Sequence, residues 1–352
     1  MTDPLKENKP GQAVRVQQDY QQAEYDRIRR AAIQNLSDDA VRAIAKKVGI
    51  RVTNSSNKLC FQARELLDSG LQQARYLALE LGLIQVSDLS FLASLTQLHL
   101  LFLRYTNLSD RSPLASLTQL RILYLCHTNI RDLSPLIGLT QLQTLSVADA
   151  NVKNLAPLAG LSQLQALGVS WTEVSDLSPL AGLTQLRSLE LNDTNVSDLS
   201  PLVGLTQLHK LELNYTGVRD LSPLAKAPEL HWLRVAFTPI SDLSPLVGLT
   251  QLHSLDVSDT NVSDLSPLTQ LPQLQALDVS GLPVSDLSLF TSFRQLEELT
   301  LSRTGIQDFT LLSPRHFPAL KRLTIGNDLP PKQVAALHAQ LPDCRIEIEI
   351  VC

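Results

Sequence analysis

His209, His231 and His253 stand 22 residues apart. Imidazoles brought into one column by such a spacing have two chemistries open to them, binding a transition metal or titrating together near neutral pH. The same register elsewhere holds Arg121, Gln143, Gln165, Arg187 and Gln275, so the position takes any long polar side chain, and a solvated polar column is the favoured reading. Ten aspartates, running from Asp88 and Asp110 to Asp286 and Asp308, share another register of this period. A metal ladder is conceivable there, but a carboxylate accepting a backbone N–H in an Asx-turn suits the pattern better. Cys60, Cys126, Cys344 and Cys352 form no CxxC pair and have no histidine at ligand spacing, so reduced thiols are expected rather than a zinc site or a disulfide framework. No Walker A sequence, GxSxG, HExxH or GxGxxG occurs, and neither catalysis nor a cofactor is expected.

These columns exist because the chain repeats. Aligned on Leu186, Leu208, Leu230 and Leu252, the 22-residue period runs back to Tyr76 and forward to Leu296 in eleven copies, followed by a strand-like segment from Leu320 to Ile325. With Leu186 as position 1, the copy reads LRSLELNDTNVSDLSPLVGLTQ, with aliphatic residues at 1, 4, 6, 11, 14, 17 and 20. Positions 4 and 6 alternate with 3, 5 and 7, the period of a strand with one buried face. No copy could bury its leucines alone, so the copies must stack. At a strand spacing of ~4.8 Å, twelve stacked strands make an array of about 55 Å. Ser200 before Pro201 reads as a helix N-cap with proline at the first helical position, and predicts a short helical turn after each strand.

The L-x-x-L-x-L register over about residues 76 to 325 resembles bacterial leucine-rich repeat proteins of the short, 22-residue, internalin-like class. That resemblance implies an α/β solenoid: a horseshoe with a parallel concave sheet, short helical or 3-10 convex turns, and a function in binding a partner. One departure is visible, since the family's usual asparagine at position 9 is mostly threonine here, as at Thr128, Thr172, Thr194 and Thr216. A threonine hydroxyl can still bond the turn backbone, and the same fold is expected.

The domains expected are a disordered start over 1–16, a helical N-terminal domain over 17–75, the repeats with a final strand over 76–325, and a C-terminal cap of helix plus strand over 326–352. Solenoids need such covers over their first and last copies. Residues 1 to 75 hold 13 Lys/Arg and 9 Asp/Glu, net +4, leaving net -9 for the remainder. Within the basic part, Ala45, Gly49 and Ile50 have the spacing of a helix-turn-helix turn, although Ser55 and Lys58 fall where a recognition helix should be apolar. A DNA-binding regulator with a repeat sensor is therefore the alternative to a plain binding scaffold. No apolar run approaches the ~20 residues of a membrane span and the polar start lacks a secretory layout, so the cytoplasm is the default. A secreted effector without a classical signal is the alternative.

Positions 3, 5, 7 and 8 are expected to point into the concave face, free of packing constraints. Three zones emerge along it. Leu100, Phe102, Ile122 and Tyr124 form an apolar patch flanked by Arg104, Tyr105 and His127. In the middle, Trp171, Tyr215, Trp232, Arg234 and Phe237 gather the residue types of binding hot spots, with Glu190 and Glu212 in the same columns. Asp256, Asp259, Asp278 and Glu298 then form an acidic stretch suited to a basic partner and unfavourable to nucleic acid. The sequence thus predicts a non-enzymatic scaffold that binds a protein on its concave face, with no membrane span.

Overall fold

The computed structural model describes residues 77–82, 92–93, 95–104, 111–327 and 329–349. The segments 1–16 and 17–75, with the Ala45–Gly49–Ile50 spacing, lie outside the described residues, as do Cys60, Tyr105 and Cys352.

Each repeat contributes one short strand: β1 (Leu77–Gly82), β2 (Leu98–Arg104), β3 (Ile122–Tyr124), β4 (Thr144–Ser146), β5 (Ala166–Gly168), β6 (Ser188–Glu190) and β7 (Lys210–Glu212). The series continues with β8 (Trp232–Arg234), β9 (Ser254–Asp256), β10 (Ala276–Asp278) and β11 (Glu298–Thr300), and after the last repeat come β12 (Arg322–Gly326) and β13 (Arg345–Glu349). All thirteen lie in one parallel sheet in chain order. The register follows the period, with Leu189 opposite Leu211 and Leu233 opposite Leu255. This is the leucine-rich repeat solenoid. The aliphatic positions of successive copies merge into one buried core that runs the length of the array. At its end, helix α1 (Pro331–Gln340) and β13 follow β12, and Leu337, Leu341 and Cys344 join the core.

The convex turns are 3-10 helices such as Ser178–Leu180 and Ser200–Leu202. Their capping differs from the sequence expectation. Serine is the first residue of the 3-10 turn and makes no cap of its own; the cap position is Leu199, without a side-chain bond. The aspartate two residues before the serine does the capping: Asp198 Oδ1 accepts the Ser200 amide at 2.8 Å, and Asp176 does the same for Ser178. The carboxylate wins because it also accepts the serine hydroxyl, at 2.8 Å for Ser200, which occupies the group that would otherwise cap. Those bonds hold the carboxyls of Asp132, Asp176, Asp220, Asp264, Asp286 and Asp308 below the usual aspartate range; at Asp308 the donor is Thr310.

Threonine at position 9 works through its hydroxyl. Thr194 and Thr216 each donate to the carbonyl three residues earlier, at 2.7 Å, and Thr128, Thr172, Thr238, Thr260 and Thr304 do the same. A second expectation is corrected at position 7. Ala148, Ser170, Asn192, Asn214, Ala236, Ser258, Ser280 and Ser302 are buried and form no part of the open face. The strand ends after position 5, and the chain turns inward there. Backbone amides at position 7 then need acceptors, and Asn192 Oδ1 takes the Asn214 amide while Asn214 Oδ1 takes the Ala236 amide, each at 2.9 Å.

Candidate functional site

The face is framed by position 8. Every non-glycine residue described there has a left-handed backbone: His127, Asp149, Trp171, Asp193, Tyr215, Phe237, Asp259 and Arg303 have φ between 51° and 58°. Asparagine, aspartate and glycine tolerate this region, whereas a bulky side chain in it is strained. Three aspartates and Gly281 follow the rule. Tyr215, Phe237, Trp171 and Arg303 break it. The requirement was visible in the recurrence of Asp149, Asp193, Asp259 and Gly281, although sequence reasoning took the position as unconstrained.

Tyr215 and Phe237 stack with ring centroids 4.4 Å apart and planes 8° from parallel, and remain 40% and 41% exposed. Burial, followed by the carboxylates of Asp259 and Asp256, raises the Tyr215 phenol. Behind this ledge, on the strand face, the Arg234 guanidinium lies over the Trp232 ring, 4.8 Å from its centroid. Trp171 sits half-buried three copies before Phe237.

The other zones are less open than their residue types suggest. Phe102 is buried to 4% exposure and stacks on the half-buried Tyr124 at 5.3 Å. Leu100, Ile122 and His127 are half-buried as well, the last against Asp149 at 2.5 Å, and the Arg104 side chain is outside the described set. Glu212 is only 4% exposed. Lys210 Nζ lies 2.7 Å from Glu190 and 3.1 Å from Glu212, and Asn192 Nδ2 donates to the second Glu212 oxygen at 2.7 Å. Both carboxylates are thereby engaged within the protein. The signal for this was Lys210 at position 3, beside the position-5 column that holds both glutamates.

Asp256 and Asp278 accept the amide and hydroxyl of Ser258 and Ser280 respectively. Burial raises both carboxyls; for Asp278, with the Asp256 carboxylate adding to it, the value is about 7. The acidic stretch is consequently less fully charged at neutral pH than a count of its aspartates indicates. Asp259 is paired with Arg303, and Glu298 with Arg322.

The histidine column is stacked, with centroid separations of 5.2 and 5.1 Å. In each ring Nδ1 faces the carbonyl two residues earlier, and since a carbonyl only accepts, Nδ1 carries the proton. Rings within 10° of parallel send their Nε2 atoms side by side instead of toward one point. Among the described residues no group of three His, Cys, Asp or Glu is placed to hold a metal ion.

The family profile described as "Leucine-rich repeat region" matches residues 107–342. The chain belongs to the leucine-rich repeat family. Among solved structures, this leucine-rich repeat protein is similar to an internalin, InlF, from Listeria monocytogenes, with 27% identity, a TM-score of 0.70, and 90% of each chain covered. It also shares its fold with a leucine-rich repeat protein of Leptospira interrogans, at 20% identity and a TM-score of 0.67, over 78% of this chain and 72% of that one. A longer chain, in the structure of the TLR13–ssRNA13 complex, shows the same repeat fold at 19% identity and a TM-score of 0.54, over 75% of this chain and 48% of that one. None of the curated proteins matches the chain. Leucine-rich repeat folds are typical of protein–protein interaction scaffolds and are generally non-enzymatic. Among the described residues no helix is long and apolar enough to cross a membrane.

Proposed function

We propose that this leucine-rich repeat protein is a non-enzymatic scaffold that binds a protein partner on its concave face, at the middle of the array. The observation that carries this reading is the Tyr215–Phe237 pair. Two large aromatic rings are held on left-handed backbone, where each is strained, and they remain about two-fifths exposed instead of being buried in compensation. Backbone strain of order 1–3 kcal/mol concentrates where side chains are presented for function. Exposed aromatic rings beside Trp232 and Arg234 are also the groups that dominate binding energy when a partner desolvates them.

The partner is a host protein if the chain is a secreted effector, or an enzyme or signalling protein if it acts inside the cell that makes it. Capture from the two kinds of lysate, with mass-spectrometric identification, separates these. The full chain is immobilised alongside Tyr215→Ser with Phe237→Ser. Proteins held by wild type and released by the double variant are the expected result; an unchanged set of captured proteins discards the concave-face reading.

A further inference from the structure

Beside the aromatic ledge the concave face opens into a cavity of about 440 Å³, bounded by Trp232 and Arg234 at one end and by Glu298 and Thr300 at the other. That volume is in the range of side-chain and small-ligand pockets, about 300–1,000 Å³. Its depth has a simple cause. Position 3 carries Trp232 on β8 but only Ser254 on β9 and Ala276 on β10, so two adjacent strands leave the floor uncovered beside a tall aromatic wall.

Position 5 lines the same cavity with a row of Arg234, Asp256, Asp278 and Thr300, one per strand. The row holds one cation and two carboxylates. Arg234 lies next to Asp256 and offsets part of the burial that raises that carboxyl; Asp278 is one strand further on, bonded to Ser280, with Arg303 acting on it only from beyond ion-pair distance. The neighbouring carboxylates already have cations of their own, Glu298 with Arg322 and Asp259 with Arg303. The carboxyl in the row that has no cation at ion-pair distance therefore stands at the point where the floor is open.

We infer that this cavity receives a lysine or arginine side chain of the partner, its charged end beside Asp278 and its stem along the Ser254–Ala276 floor, while the residue next to it in the partner, an apolar one, lies on the Tyr215–Phe237 ledge. The inference rests on the concave-face reading and adds the chemistry of what is bound. Alkyl stems cover small, uncharged floor residues while their heads reach a carboxylate, which is how long basic side chains bury themselves at interfaces. A cation beside Asp278 favours its ionised carboxyl, so binding at neutral pH displaces the proton that burial partly retains there.

The test uses the full chain and three fluorescent peptides, Ser-Gly-Xaa-Leu-Leu-Gly-Ser, in which Xaa is lysine, norleucine or glutamate, followed by fluorescence anisotropy at low salt. The lysine peptide is expected to bind about tenfold more tightly than the norleucine peptide. Asp278→Asn is expected to abolish that preference while leaving the norleucine peptide unaffected, and Phe237→Ser to weaken lysine and norleucine peptides alike. Equal binding of lysine and norleucine peptides, both lost in Phe237→Ser, overturns the cation site and leaves the concave-face reading standing. Tighter binding of the glutamate peptide overturns it too, by making Arg234 the reader. Absence of binding by all three at about 1 mM peptide overturns the inference as well; the capture experiment with Tyr215→Ser and Phe237→Ser judges the broader reading separately.

Discussion

Arg303 reaches across Gly281 to hold Asp259, two repeats away: its Nη1 donates to Oδ1 at 2.7 Å and its Nη2 to Oδ2. The fork closes only because position 8 of the intervening copy has no side chain. A Cβ on Gly281 would lie 2.4 Å from Asp259 Oδ1, and the backbone there has φ +73°. Gly281→Ala is therefore expected to displace Asp259, open the fork and strain the turn, lowering stability by roughly 1–2 kcal/mol. Urea unfolding measures it. A loss no larger than that of Arg303→Ala would mean that the turn itself accepts alanine.

Asn192 is a buried relay between copies, donating to Glu212 and accepting from the Asn214 amide. Asn192→Ala strands a buried amide and removes one donor from a buried carboxylate, and a loss of about 2–4 kcal/mol is expected. Thermal and urea unfolding would show it. Asn192→Asp, which keeps the acceptor but places a second carboxylate beside Glu212, is expected to destabilise as well; full stability in that variant would contradict the relay.

At Phe237, backbone and side chain pull in opposite directions. Phe237→Asn relieves the left-handed backbone, to which asparagine is suited, and removes a stacking contact worth about 0.5–1.5 kcal/mol. The net change in stability is expected to stay within about 1 kcal/mol while partner capture falls. A large loss of stability would reassign the ledge to folding.

Asp278 makes stability depend on pH. Its carboxyl is raised to about 7 in the folded chain, against about 3.9 in an unfolded one. The folded state keeps the proton longer, so this contribution is whole below about pH 4 and is lost as pH rises toward 7. Asp278→Asn, whose amide oxygen can still accept from Ser280, is expected to be more stable than wild type at about pH 8 and to lose that advantage at about pH 4. The turn aspartates, Asp176 among them, act in the opposite sense: their contribution is present above the unfolded value and lost as pH falls through the lowered one. Urea midpoints measured across this range decide the matter, and parallel curves for variant and wild type would refute the raised carboxyl.

The solenoid was legible because its cause is local and repeated. Leu189, Leu211 and Leu233 recur at the same place in every copy, and a strand that must bury one face alone can do so only against its neighbours. The ledge was half legible. Tyr215 and Phe237 stood out as large groups at a position that elsewhere holds Asp149 or Asp193, but their stacking depends on the separation of two copies in space.

By itself the sequence determined the period, the buried skeleton and the identity of the residues left over, since these follow from which side chains water expels. Only the tertiary structure decided how the leftovers meet. It buried Glu212 beneath Lys210, sent position 7 inward because the three-residue strand ends before it, and put Arg303 on Asp259 through the gap at Gly281. Most of these join residues from different copies, as Lys210 also does with Glu190, or turn on where a strand stops, and pattern within one copy carries neither the distance between strands nor the direction of a side chain at their ends.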